Sequence, residues 1–210
     1  MGVKRQLQEI VETKGKVFIP KIAPYVKAIK YFGKGIPLKQ ISAIDNLLVF
    51  TRLLEQHGID YFLSGGTLLG AVRQKAFAGR PGDIDLAILE QDETRFLALT
   101  EEIEGLGFAR DANYVHHPDK LVFTKWRTPH VDVMVYRPTE GSGNQLISTY
   151  RHINASGQPF TCPIDFTKPR FGKIFSYEFP IPVNSEDFIE NQYGASWRTP
   201  DAPQLSLRHR

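Results

Sequence analysis

Leu63-Ser64-Gly65-Gly66-Thr67-Leu68-Leu69-Gly70-Ala71-Val72-Arg73, followed after one loop by Asp83-Ile84-Asp85-Leu86-Ala87-Ile88-Leu89, is the stretch that decides the fold. Tyr61-Phe62-Leu63 reads as a short buried strand, Gly65-Gly66 as a turn, and Thr67 to about Lys75 as a helix. Strand, glycine turn and helix in that order can cradle phosphate, because the glycines let backbone amides approach closely and the helix N-terminus adds the positive end of its dipole. Ser64 and Thr67 add hydroxyls, and Arg73 or Lys75 could neutralise a bound phosphate, with Arg73 favoured. A purely structural turn is the competing reading, since glycine pairs are ordinary turn material.

Asp83–Leu89 alternates at first and then runs continuously apolar, which predicts a strand. Successive strand side chains point to opposite faces, so Asp83 and Asp85 emerge on one side, about 7 Å apart. Two carboxylates so placed repel each other unless a cation sits between them, and Mg²⁺ (or Mn²⁺) with its preference for oxygen ligands is the expected occupant. His130-Val131-Asp132-Val133-Met134-Val135 predicts a second strand that delivers a third carboxylate, Asp132, to the same ion. The expected site is therefore Asp83, Asp85 and Asp132 as catalytic and metal-binding residues, with Ser64, Gly65, Gly66, Thr67 and Arg73 on the donor. Asp132 could be a ligand or the base that orients an attacking hydroxyl; His116 and His117 are secondary candidates for that base. Solvated aspartates at a strand entry are the alternative, and an Asp-x-Asp pair by itself would not exclude it.

Working outward, Ile41, Ile44, Leu47, Leu48 and Leu54 have helical spacing from Leu38 onward, with Gly58 as terminator. Further elements are a helix from Asp92, the N-cap candidate, to Leu106, strands at Leu121–Trp126, Val131–Tyr136 and Phe175–Ile181, and a helix at Ser185–Gln192. Mixed strands and helices with short connections indicate an α/β (α+β) fold, a mixed sheet flanked by helices. The 210 residues fit one catalytic domain, taken as 38–210, preceded by a basic arm over residues 1–37. Residues 1–40 carry nine Lys/Arg against Glu9 and Glu12, and interleaved aromatics would let the arm contact an anionic membrane surface peripherally. A solvated docking segment would look the same. The single cysteine, Cys162, excludes an internal disulfide framework, and no stretch has the length of a membrane span or a signal core. A cytoplasmic protein, peripheral at most at the inner membrane face, is the expectation.

The motif from Leu63 to Phe77 continued by Asp83-Ile84-Asp85, together with Asn191-Gln192-Tyr193-Gly194-Ala195-Ser196-Trp197-Arg198-Thr199-Pro200, resembles the LicD family, which includes bacterial phosphocholine transferases and fukutin-related proteins. The resemblance implies a nucleotidyltransferase fold and metal-dependent transfer of a phosphorylated group, such as phosphocholine or a polyol or sugar phosphate. The implied donor is a nucleotide diphosphate conjugate, CDP-linked by preference, and the implied acceptor is a glycan or lipid-linked glycan hydroxyl, with no nucleic-acid partner. It also places the paired ligands on Asp83 and Asp85 and the donor turn on Gly65, Gly66 and Thr67. Arg80-Pro81-Gly82 departs from the family, whose members usually have Trp and further aspartates there. The rival activity is transfer of a nucleoside monophosphate from a triphosphate to a small-molecule hydroxyl, as in the antibiotic-modifying enzymes that share the Gly-Gly and Asp-x-Asp pattern.

Overall fold

The computed structural model describes residues 37–79, 81–114, 119–138, 145–147, 152–153, 159–160, 164–165 and 168–200. Residues 1–36 of the basic arm, Arg80, His116 and His117 lie outside these residues. Helix α1 (Leu38–Gln56) buries Ile41, Ile44, Leu47, Leu48 and Leu54, and Gly58 ends it at φ +61°. Strand β1 (Tyr61–Leu63) leads directly into α2 (Gly65–Arg73), and β2 (Asp83–Leu89) leads into α3 (Glu90–Leu97) and α4 (Thr100–Gly105). Then come β3 (Ala109–Arg110), β4 (Lys120–Thr124) and β5 (His130–Pro138). Short strands β6 (Gln145–Ile147), β7 (His152–Ile153), β8 (Pro159–Phe160) and β9 (Ile164–Asp165) precede the β10 (Arg170–Ile174) and β11 (Tyr177–Ile181) hairpin and α5 (Ser185–Tyr193).

The main sheet runs β1-β2-β5-β4-β3, with β6 and β9 added beside the far end of β5. Strands β2 and β5 pair in parallel and the other neighbours pair antiparallel, so the sheet is mixed, as expected. Strand β2 is central and covered on both faces, which is why Ile84, Leu86, Ala87 and Ile88 are all buried and its sequence reads as a continuous apolar run. Phe123 faces α1 and α3, with its ring 5.5 Å from Phe50 and 5.8 Å from Phe96. It pairs with Val131, so the face carrying Ile84 and Val131 is the one under these helices. The opposite face carries Asp83, Asp85 and Asp132 and meets the β1–α2 junction, where Ser64 Oγ lies 3.4 Å from the Tyr136 hydroxyl. Arg137, near the end of β5, ties this strand to Glu93, Asp119 and Glu90. No helix among the described residues is long and apolar enough to cross a membrane.

Several expectations need correction. Gly65 and Gly66, expected as a turn before the helix, are the first residues of α2. The helix expected over Asp92–Leu106 is two helices, broken where the Thr100 hydroxyl donates to Leu97 O at 2.7 Å. The first of them begins at Glu90, so Asp92 sits in its first turn rather than capping it and pairs with Arg95 at 2.7 Å. The strand expected at Phe175–Ile181 is the second arm of a hairpin whose turn holds Phe175 at φ +56°, anchored by its N–H to Lys75 O. The strand expected to reach Trp126 stops at Thr124, and Trp126 lies exposed in the turn with the Arg127 guanidinium 4.3 Å over its ring.

At Gly70 the segment that follows α2 folds back so tightly that an added Cβ would lie 2.3 Å from Ala76 O and 2.7 Å from Ala78 N. Both neighbours are backbone and cannot rotate away. Gly70→Ala should therefore lower stability by about 1–3 kcal/mol in urea unfolding. An unchanged midpoint would show that the Ala76–Ala78 segment yields freely.

Candidate active site

Parallel pairing of β2 with β5 puts Asp83 opposite His130 and Asp85 opposite Asp132, so four polar side chains share one face of two adjacent strands. Asp83 is exposed, His130 half-buried, and Asp85 and Asp132 buried. One ligand atom each from Asp83, His130 and Asp132 lies within 4.8 Å of the others, a grouping that could hold a metal ion. Asp132 Oδ1 is buried with no hydrogen-bond partner, 3.6 Å from His130 Nε2. An orphaned carboxylate oxygen is costly in a protein interior, and a cation bound among these three residues would satisfy it. The donor set fits a metal.

Asp85 is held differently. Its Oδ2 accepts the Gly66 N–H at 2.8 Å and the Thr67 N–H at 3.4 Å, and its own N–H donates to Thr67 Oγ1 at 2.9 Å. The first turn of α2 thus receives a carboxylate at its positive end. Gly65 is required for the approach: its φ is +46°, and a Cβ there would stand 2.6 Å from the Asp85 carboxylate. In the structure the glycine turn positions Asp85, while Ser64 turns its hydroxyl toward Met134 and Tyr136. Arg73 donates to Trp197 O at 3.0 Å and to the neighbouring Gln74 side chain.

Burial first, and then the charges of Asp83 and Asp132, push the Asp85 carboxyl up to about 7. Burial also raises Asp132, against the pull of Lys120 and His130. The Tyr193 phenol is held well above the ordinary tyrosine range by burial and by the Asp85 and Asp83 charges, so it stands beside the carboxylates as a neutral donor.

His130, Lys120 and Tyr193 are the residues that sequence reasoning did not select. His130 had a readable signal, since it lies two residues before Asp132 and strand alternation puts both on one face. Tyr193 stands in the closing motif, next to Gly194. Lys120 gave no signal, because its place depends on the register of β4.

A sequence model described as the LicD/FKTN/FKRP nucleotidyltransferase domain matches residues 58–184. The ribitol-5-phosphate transferase FKTN of Homo sapiens is 26% identical over an alignment 175 residues long that covers 76% of this chain and 34% of that protein. The Mus musculus counterpart is 25% identical over an alignment 169 residues long that covers 73% of this chain and 32% of its own length. The lipopolysaccharide cholinephosphotransferase LicD of Haemophilus influenzae is 37% identical over 59 residues, 28% of this chain and 22% of its own. This chain therefore spans about a third of the FKTN proteins it matches. Among solved structures, the lincomycin-bound lincosamide antibiotic adenylyltransferase LnuA superposes with a TM-score of 0.47 at 14% identity, over 69% of this chain and 82% of that one.

With a folded value near 7 against 3.8 for the free carboxyl, Asp85 binds a proton in the folded metal-free protein that the unfolded chain releases. Its contribution to stability is fully present below about pH 4 and is lost as pH rises through about 7. The melting temperature of metal-free protein should fall over that window, and Asp85→Asn should flatten the fall. A wild-type melting temperature that rises steadily from about pH 5 to 8 would contradict the assignment.

Proposed function

The chain belongs to the LicD/FKTN/FKRP nucleotidyltransferase-domain family, and we propose that it transfers a phosphorylated group, phosphocholine or a polyol or sugar phosphate, from a CDP-linked donor to a glycan hydroxyl. The observation that carries the reading is the unsatisfied Asp132 oxygen grouped with Asp83 and His130, beside a helix N-terminus that holds Asp85. The relatives named as a ribitol-5-phosphate transferase and a cholinephosphotransferase favour this class of donor.

Asp83, His130 and Asp132 would hold a divalent cation, and an imidazole beside two carboxylates accepts Mn²⁺ as well as Mg²⁺. Bound there, the ion would supply neutralising charge to the donor diphosphate. The acceptor hydroxyl attacks the phosphorus distal to the nucleoside, the bridging P–O bond breaks, and the nucleoside monophosphate leaves with the electron pair. A carboxylate of this face takes the hydroxyl proton. Asp85 is kept in place by the Gly66 and Thr67 amides, so the acidic face is rigid before substrate arrives. Tyr193 offers an uncharged hydrogen bond to a donor oxygen without adding to the negative charge.

Purified protein with Mn²⁺ or Mg²⁺ should release CMP from CDP-ribitol, CDP-choline or CDP-glycerol in the presence of an acceptor glycan. Asp83→Asn should lower that release about a hundredfold or more while leaving the melting temperature near wild type, because it removes a ligand at an exposed strand end. Pyrophosphate release from nucleoside triphosphates, with no CMP from any CDP conjugate, would replace this reading with nucleotidyl transfer.

A further inference from the structure

Lys120 opens β4, with its side chain only 12% exposed and its ammonium 2.5 Å from Asp132 Oδ2. The ammonium also lies 5.3 Å from the centre of the Tyr114 ring. Register explains the delivery. Lys120 pairs with Met134, and Val122 with Asp132, so the lysine emerges on the carboxylate face of the sheet. Taking an ammonium out of water is costly, and here the cost is offset by a nearly buried carboxylate and an aromatic face.

This geometry divides the two oxygens of Asp132. Oδ2 is committed to the ammonium; Oδ1, buried and without a hydrogen bond, lies beside His130. Three carboxylates on neighbouring strands could otherwise collect two divalent ions, the usual arrangement in two-metal phosphoryl-transfer centres. We propose that Lys120 is a built-in counter-cation that takes the place of a second metal, restricting the centre to one divalent ion. It is also a positioning residue, because its bond to Oδ2 leaves Oδ1 on the side of His130. The inference rests on reading Asp83, His130 and Asp132 as a metal centre.

Titration of the metal-free full-length protein with Mn²⁺, followed by the paramagnetic resonance of the free ion, counts and ranks the sites without turnover. Wild type should bind one Mn²⁺ per chain at a site that Asp83→Asn removes. Lys120→Met keeps an unbranched side chain one heavy atom shorter and deletes the charge, so it should bind Mn²⁺ about tenfold more tightly or take up a second ion, because a repelling neighbour is gone. Its CMP release should nevertheless fall. Lys120→Arg should restore one ion and wild-type affinity. Unfolding would weaken binding and turnover together, so their opposite movement identifies the counter-cation. Unchanged or weaker Mn²⁺ binding by Lys120→Met, measured on folded protein, overturns the proposal. So do two Asp83-dependent ions in wild type or in Lys120→Arg, whether or not Lys120→Met folds. If wild type binds no Mn²⁺ at all, the metal reading itself fails, and the inference falls with it.

Discussion

Asp85 and Asp132 face each other across the β2–β5 pair, two buried acidic side chains in adjacent strands, and the surrounding structure has to offset their mutual repulsion. It does so with fixed partial charges and with full ones. The α2 amides serve Asp85, and the Lys120 ammonium serves Asp132. One buried oxygen is left over, on Asp132 beside His130. The chemistry assigned to the protein follows from that remainder.

The same constraint explains why the chain is built as it is around the site. Gly65 holds a left-handed backbone, and a side chain there would also strike Asp85, so the glycine pair that starts α2 and the Asp-x-Asp strand are parts of one device. The other face of the sheet is closed by α1 and α3 on Phe123, which leaves the acidic face free of large hydrophobic groups from those helices. The distant C-terminal segment is drawn in as well: Gly194 ends α5 at φ +83°, Tyr193 stands near Asp83 and Asp85, and Trp197 offers its carbonyl to Arg73. Local dipoles, a register and one long-range contact act on the same few ångströms.

What could be read from sequence was whatever depended on local periodicity. Asp83–Leu89 forms a strand with the expected bounds, and Asp83 and Asp85 share a face because alternation requires it. Asp132 reaches the same face, as expected of a neighbouring strand. Lys120 was illegible, since its meeting with Asp132 depends on the antiparallel register of β4. The break after Leu97 and the turn at Phe175 were missed for another reason. Neither contains Gly or Pro; one is made by a threonine hydroxyl and the other by a backbone bond to Lys75. The glycine motif was expected as a turn before a helix, whereas Gly65 and Gly66 form the first turn of α2 itself, and the hydrogen bonds it makes to Asp85 became visible only with the strand beside it.

The unsatisfied oxygen of Asp132 is proposed to belong to a metal centre shared with Asp83 and His130. Anomalous diffraction from crystals grown with Mn²⁺ tests it most directly, because the scattering locates the ion independently of any assay. One peak is expected at bonding distance from Asp132 Oδ1, Asp83 and His130, with Lys120 still paired to Oδ2. An ion bound elsewhere, or an ordered Asp83, His130 and Asp132 with no peak at saturating Mn²⁺, would contradict it.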